Sequence, residues 1–348
     1  MCIDKRIHTK TSAALSLALL TALFAGLISS FHSCGGKSQA RDLSNETHKT
    51  KNDDVPNKLL TDELIFPEVK VLLASRFNSM EEFKQAVDLK YLTNHKDSLP
   101  GKNSKGVILR YRQNKHAVES SLLSGISQGD LMIAREGSFW NKLKLAFIAT
   151  YCVAKRSDLS KVYVLARRKS EVLGVGDVAF FDLALSSVSH ISDYELACIT
   201  AKDSSEKGYL NSFNHVTAQA LMTTMFSERT ADLIGDMHER YNMPELISGQ
   251  FSEAQLSNAN VNPIDNYVDM MNNELGQILG RKLRDKHNIN KATVWTERLL
   301  SDYLNDVQKY YGWSFGIAFT PFKSSDEEVI RFTTKINDVI QGRIKNVK

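Results

Sequence analysis

The stretch from Asp265 to Leu283, "DNYVDMMNNELGQILGRKL", constrains this chain more than any other. Val268, Met271, Leu275, Ile278 and Leu279 recur at steps of three and four, which places them on one face of an α-helix. Yet Asp269, Asn272, Asn273 and Gly276 stand in the same segment, each less favourable in a helix than Ala by several tenths to about 1 kcal/mol. Four such residues in one interior need packing or chemistry to hold them. With Gly280 they line a stripe beside the apolar one. Short polar side chains ending in glycines suit either buried hydrogen bonding between helices or the wall of a pocket.

Two further segments carry the same mixture. "SFNHVTAQALMTTMFSE" has an apolar face of Val216, Ala220, Leu221 and Met225, with His215 and Gln219 one turn apart on an adjoining face. "RTADLIGDMHERY" has a stripe of Leu233, Ile234, Met237 and Tyr241, with His238 beside it and Asp236 and Glu239 as its acids. Two imidazoles and two carboxylates with amide neighbours form a constellation able to do chemistry. Histidine titrates near neutral pH, a carboxylate can orient it, and both ligate divalent metals. The candidate catalytic residues are His215, His238, Glu239 and Asp269. Asn272, Asn273 and Gln219 are the candidate substrate-binding residues, and His215, His238 and Asp269 the candidate metal ligands. The same residues also suit a satisfied polar network that fixes helix register.

The order "NHVTAQALMT" (214–223), "DMHE" (236–239) and "VDMMNNELG" (268–276) resembles a bacterial domain family of unknown function. Its members share R-H-A-x-W-x-A-L-M-T, then A-H-E, then M-D-x-x-N-N-x-x-G. The resemblance covers residues 209–284, with Asn214 where the family has Arg and no aromatic at Ala218 or Gln219. It implies a shared site at His215, His238, Glu239, Asp269, Asn272 and Asn273, and brings no activity with it.

Three other motifs fail on context. Gly125-Ile126-Ser127-Gln128-Gly129 matches the G-x-S-x-G nucleophile elbow, which needs a strand before the serine and a helix after it. Here "HAVESSLLS" precedes it and the strand-like "DLMIAREG" follows. "LGVGDVAF" (173–180) partly matches a dinucleotide loop but has no alternating βαβ frame around it. "HERYN" (238–242) begins like a zinc-protease helix, with Asn242 at the second ligand position.

The N-terminus sets location. Lys5, Arg6 and Lys10 precede the apolar run from Thr11 to Ser30, and "FHSCGG" follows. A basic start, an apolar stretch and a small-residue exit read as an export signal. Cys34 stands where a bacterial lipoprotein signal places its acylated cysteine, with Phe31 in place of the usual Leu. The expectation is a signal peptide over 1–33, lipidation of Cys34 and a membrane-anchored protein of the bacterial cell envelope, facing periplasm or exterior. An uncleaved anchor or simple secretion are the alternatives. The spacer 34–58 is too poor in apolar residues to offset its ordering entropy. Cys152 and Cys198 either pair or remain buried thiols.

Among the 348 residues the formal charge is only +4, with basic and acidic groups interspersed, so nucleic acid is not an expected partner. "SMEEFKQAVDLKYL" opens on a capping-box pattern at Ser79 and Glu82 and continues at helical spacing through Tyr91. "VILRYRQ" and "DLMIAREG" read as short strands, while "FWNKLKLAFIATYCVAK" and "VAFFDLALSSVSHISDYELACITAK" read as helices. The fold expected is mainly α, a multi-helix bundle with a small β element in the N-terminal half. Its parts are a mostly helical region over 59–202, the helical site region over 203–290 and a helical extension over 291–348. Functionally, the residues suggest a hydrolase of an envelope component, or else a non-catalytic binding or scaffold module whose polar cluster is structural.

Overall fold

The computed structural model describes residues 66–92, 106–196, 199–205, 207–243 and 263–343. The expected signal peptide 1–33, Cys34, the spacer 34–58 and Cys198 lie outside these residues, so neither lipidation nor the cysteine pairing is placed. Cys152 is a buried free thiol.

Helix α1 (Met80–Ala86) leads into strands β1 (Val87–Leu92), β2 (Gly106–Gln113) and β3 (His116–Leu123). Next come α2 (Gln128–Glu136), α3 (Phe139–Ile148), α4 (Thr150–Ala154), α5 (Arg156–Leu165), α6 (Ser170–Leu173), α7 (Phe180–Ser189) and α8 (Asp193–Leu196). The chain then forms α9 (Tyr209–Met225), α10 (Glu228–Asn242), α11 (Ile264–Lys286), α12 (Glu297–Phe315) and α13 (Glu327–Ile340). The protein is mainly α with one small sheet in its N-terminal half, as the periodicities predict.

That sheet departs from the sequence reading in three places. The helix opened by Ser79 stops at Ala86, and Val87–Leu92 pairs antiparallel with β2, Val87 opposite Tyr111 and Leu89 opposite Leu109. Ser79 does cap the helix by accepting from the Glu82 amide at 3.2 Å. Glu82 turns outward to the Asn78 amide instead of closing the box. "HAVESSLL" is the third strand, because Val118, Ser120 and Leu122 alternate inward. "DLMIAREG" is helix and not strand: Ser127 and Asp130 form a reciprocal capping box that starts α2. The strand-then-helix order that the G-x-S-x-G match requires is therefore present, contrary to the sequence reading, but Ser127 Oγ is engaged with Asp130 as the helix cap. The β2–β3 turn uses Asn114 at φ 56°, a conformation asparagine tolerates better than most residues.

Helix α11 joins the two halves of the structure. Its Tyr267, Val268, Met271 and Leu275 pack under the sheet with Phe83, Val107, Leu109 and Leu122. One to two turns on, Leu279 and Leu283 enter a second core with Phe213, Val216, Ala220, Tyr303, Tyr311 and Phe332. The C-terminal helices α12 and α13 thus share a core with the site region. Truncating a fully buried member such as Leu275 to Ala is expected to cost about 2–5 kcal/mol.

The glycines of α11 serve the approach of α9. A Cβ on Gly276 would stand 2.7 Å from the Val216 carbonyl oxygen, and one on Gly280 2.4 Å from that of Ala220. Both distances are below real contact, so the two backbones are this close only because glycine stands at these positions. The segment "VAFFDLALSSVSHISDYELACITAK" divides after Ser189, where Ile191 bridges to Phe319. The loop "LGVGDVAF" holds Asp177, which pairs with the buried Lys335 at 2.8 Å. Its role is to fasten α13.

Candidate functional site

Helices α9, α10 and α11 bring their polar minorities together, and the geometry separates the candidate residues into three groups. His215, Glu239 and Asp269 converge: each offers one ligand atom, all within 4.8 Å of one another. Glu239 is 1% exposed and Asp269 6%. His238 faces away. It is exposed at the surface, with Nδ1 3.2 Å from Gln128 Oε1 and its ring centroid 6.2 Å from that of His215. The expected ligand set of His215, His238 and Asp269 is therefore corrected at one position, where Glu239, the next residue on α10, takes the place of His238.

The amides divide similarly. Asn272 is fully buried and clasps the backbone of Leu72, accepting from its amide and donating to its carbonyl, each at 3.0 Å. It ties the backbone at Leu72 to α11 and is not available to a substrate. Gln219 accepts from Gln277 Nε2 at 3.3 Å, inside the helix interface. Asn273 belongs to the site. Its Nδ2 donates to Glu239 Oε1 at 3.4 Å, and its Oδ1 lies 2.9 Å from His215 Nδ1.

That chain of bonds fixes the imidazole. With its NH₂ donating to Glu239 Oε1, Asn273 presents its carbonyl oxygen to His215. A carbonyl only accepts, so Nδ1 of His215 carries the proton. Burial lowers the pKa of His215, keeping the ring neutral, so Nε2 is a bare lone pair. It points at Asp269 Oδ2 at 3.3 Å. Two acceptors face each other across a gap that is favourable only with a proton or a cation between them. The other oxygen of Asp269 accepts from Asn211 Nδ2 at 2.9 Å. Glu239 Oε2 is buried with no hydrogen-bond partner.

Burial pushes Asp269 up to about 7 against the opposing Asn211 hydrogen bond and the charge of Lys207. Glu239 is raised well above its usual range, first by burial and then by the Asp269 charge. Asp265, one turn before Asp269, is raised to about 6 for the same two reasons. Three groups with one nitrogen and two oxygen donors suit a divalent metal of the zinc, manganese or iron type. The Nδ1 bond to Asn273 is the second-sphere contact that such a histidine ligand makes.

Beside Glu239 lies a cavity of about 10 Å³, lined among others by Ser120, Asp232, Asp236, Asn273 and Glu274. It has room for about one water or one ion. Sequence reasoning missed Asn211, Asp232, Asp265 and Glu274. The signal for two of them was present, since Asn211 stands one turn before His215 and Asp265 one turn before Asp269.

No protein-family model, curated protein or solved structure matches this chain.

Proposed function

We propose that this chain is a lipid-anchored protein of the bacterial cell envelope. In this reading its helical domain holds a divalent cation between His215, Glu239 and Asp269 and hydrolyses an envelope component such as peptidoglycan, lipid or a peptide. The apposition of the bare His215 Nε2 with Asp269 Oδ2 at 3.3 Å carries the reading. A cation held there would take both His215 Nε2 and Asp269 Oδ2 as ligands, where a proton on Asp269 bridges them otherwise, and would give the unpartnered Glu239 Oε2 a partner. Three protein donors, with no fourth grouped with them among the described residues, match the open arrangement of catalytic centres, whereas structural sites close the fourth position with a protein ligand. A divalent cation bound there would lower the pKa of its water toward neutrality.

The chain's own residues do the rest. Asn273 holds the His215 tautomer, and Asn211 orients Asp269. Asp236, raised by burial to about 7 despite its bond to Arg240, shares a cavity wall with Glu239 and would serve as the proton acceptor on that side of the site. The envelope location rests on the N-terminal pattern ending at Cys34.

One observation favours a second reading. The cavity admits a water or an ion and no substrate, which fits a non-catalytic module whose cation centre locks three helices for presentation to a protein partner. Metal-stripped protein reloaded with Zn²⁺ or Mn²⁺ should hydrolyse at least one of a peptidoglycan, phospholipid or peptide panel, and His215→Ala should abolish it. Metal binding with no turnover on any member would establish the module. No metal binding at all would remove both readings.

A further inference from the structure

We infer that helices α2 and α3 form a docking surface for an anionic lipid bilayer. The two helices turn one face inward and leave the other open. Leu131 and Leu145 pack against Ala149, Cys152 and Met237, which fixes the pair to α10. Along α3, Leu143, Lys144, Phe147 and Ile148 follow Trp140 at steps of three, four, seven and eight, which places them on one stripe away from Leu145. Trp140 is 72% exposed and Phe147 73%, and Met132 and Ile133 of α2 are exposed as well. Phe139 meets Trp140 edge-on, with ring centroids 5.7 Å apart. Single apolar side chains on a surface need no explanation, but a patch of this size on two adjoining helices marks an interaction site.

Charge decides which partner. From Gly137 to Ser157 the chain carries Lys142, Lys144, Lys155 and Arg156 and no acid. Lys155 is paired with Asp158, but Lys142 and Lys144 are exposed and have no acidic partner among the described residues. Protein interfaces are rich in aromatic residues but depleted in lysine. Lysine beside tryptophan and phenylalanine on one short helix is instead the composition of an interfacial helix. The rings enter the boundary between headgroups and acyl chains, the lysine stems lie along the apolar surface, and the ammonium groups reach the lipid phosphates. Trp140 suits that boundary because its ring is apolar and its indole N–H is a donor. With 10 residues, α3 is about 15 Å long against the ~30 Å of a hydrocarbon core, so it lies along the bilayer and does not cross it. This surface is independent of the cation centre and goes beyond the anchor proposed at Cys34. A lipid tethers the chain; a basic apolar patch adds the second signal that stable membrane binding takes.

The test is tryptophan fluorescence of the full chain reconstituted into vesicles whose acyl chains carry bromine, a quencher that acts only within the bilayer. Phosphatidylcholine vesicles are compared with vesicles that also contain phosphatidylglycerol. Of the three tryptophans, Trp295 is buried and Trp313 stacks on Tyr310, so Trp140→Ser isolates the signal of Trp140. Wild type should be quenched in the phosphatidylglycerol vesicles, and Trp140→Ser should lose most of that quenching. Lys142→Glu combined with Lys144→Glu should lower the ratio of docked to undocked protein about tenfold or more, and high salt should lower it in the wild type. All three side chains are exposed, so the variants should keep the fold, which circular dichroism checks. Quenching that survives Trp140→Ser places the contact elsewhere and overturns the inference. Equal quenching in both kinds of vesicle removes the charge argument and overturns it too. No quenching, with cross-links between copies through Trp140→Cys, makes this face a contact with a second copy, and no quenching without cross-links overturns the inference outright. Absence of Zn²⁺ binding would remove the proposed function and leave these expectations unchanged.

Discussion

Replacing Glu239 with glutamine separates a cation site from a structural network, because the two accounts predict opposite results. Glutamine keeps the shape and one acceptor oxygen, so Asn273 retains its bond partner. The substitution removes a buried carboxylate that lies beside Asp269 and has one oxygen unpaired. Burial holds Glu239 protonated in the metal-free protein, so the exchange replaces one neutral group by another and leaves the unpartnered position polar in both. Without metal, the variant should lie within about 1 kcal/mol of wild type, inside the range of ordinary substitutions. With metal the two diverge. At a concentration 100 times Kd a ligand stabilises the folded state by about 2.7 kcal/mol. For a domain of this size that is a rise in Tm of about 5–10 °C in the wild type. With one of three ligands gone, the variant should gain less than about 2 °C at the same metal concentration. The assay is thermal unfolding in chelator and in excess Zn²⁺ or Mn²⁺. A wild type indifferent to metal, together with a metal-free variant destabilised by more than about 3 kcal/mol, would refute the reasoning and make Glu239 a structural hydrogen-bonding residue.

Three further outcomes follow from the same geometry. Asn272→Ala leaves the buried Leu72 amide without its acceptor, although Ser212 still donates to the Leu72 carbonyl. It should cost about 2–3 kcal/mol in urea unfolding and leave the metal response unchanged, and an altered response would return Asn272 to the site. Gly280→Ala puts a Cβ 2.4 Å from the Ala220 carbonyl oxygen, so it should destabilise by about 1–3 kcal/mol despite its better helix propensity. Equal or greater stability would contradict the close approach of α9 and α11. In chelator, Tm should fall between pH 6.5 and 8. Asp236, Asp269 and Glu274 titrate near 7 when folded, far above their unfolded values, so the folded state holds protons that the unfolded chain has already released. The lowered His190, His215 and His238 oppose this only at the low end: neutral when folded, they are about half protonated in the unfolded chain near pH 6.5, so the fall should be clearest above about pH 7.5. A Tm flat or rising over this range would contradict the burial of these acids.

The sequence makes the helices around the site legible because their apolar stripes are long and regular. It names the faces that carry His215, Glu239 and Asp269. Periodicity gives a face but not its partner, and that is where the reading stopped. Asn272 and Asn273 are neighbours in the chain, yet one clasps Leu72, 200 residues away, and the other holds His215. No local rule assigns them. His238 and Glu239 are likewise adjacent, and only the packing of α10 against α11 turns the carboxylate inward. The strand β3 escaped because "HAVESSLL" has few strong β formers and owes its state to pairing with β2. The glycines were read correctly as points of close approach, and what approaches is α9.

The central claim is that a cation bonds His215 Nε2 together with Asp269 and Glu239, and X-ray absorption at the metal edge of Zn²⁺-loaded protein tests it most directly. The account predicts one imidazole nitrogen with carboxylate oxygens at about 2.0–2.2 Å, and loss of the imidazole signature in His215→Ala. A spectrum with no imidazole contribution, or one unchanged by His215→Ala, would contradict it.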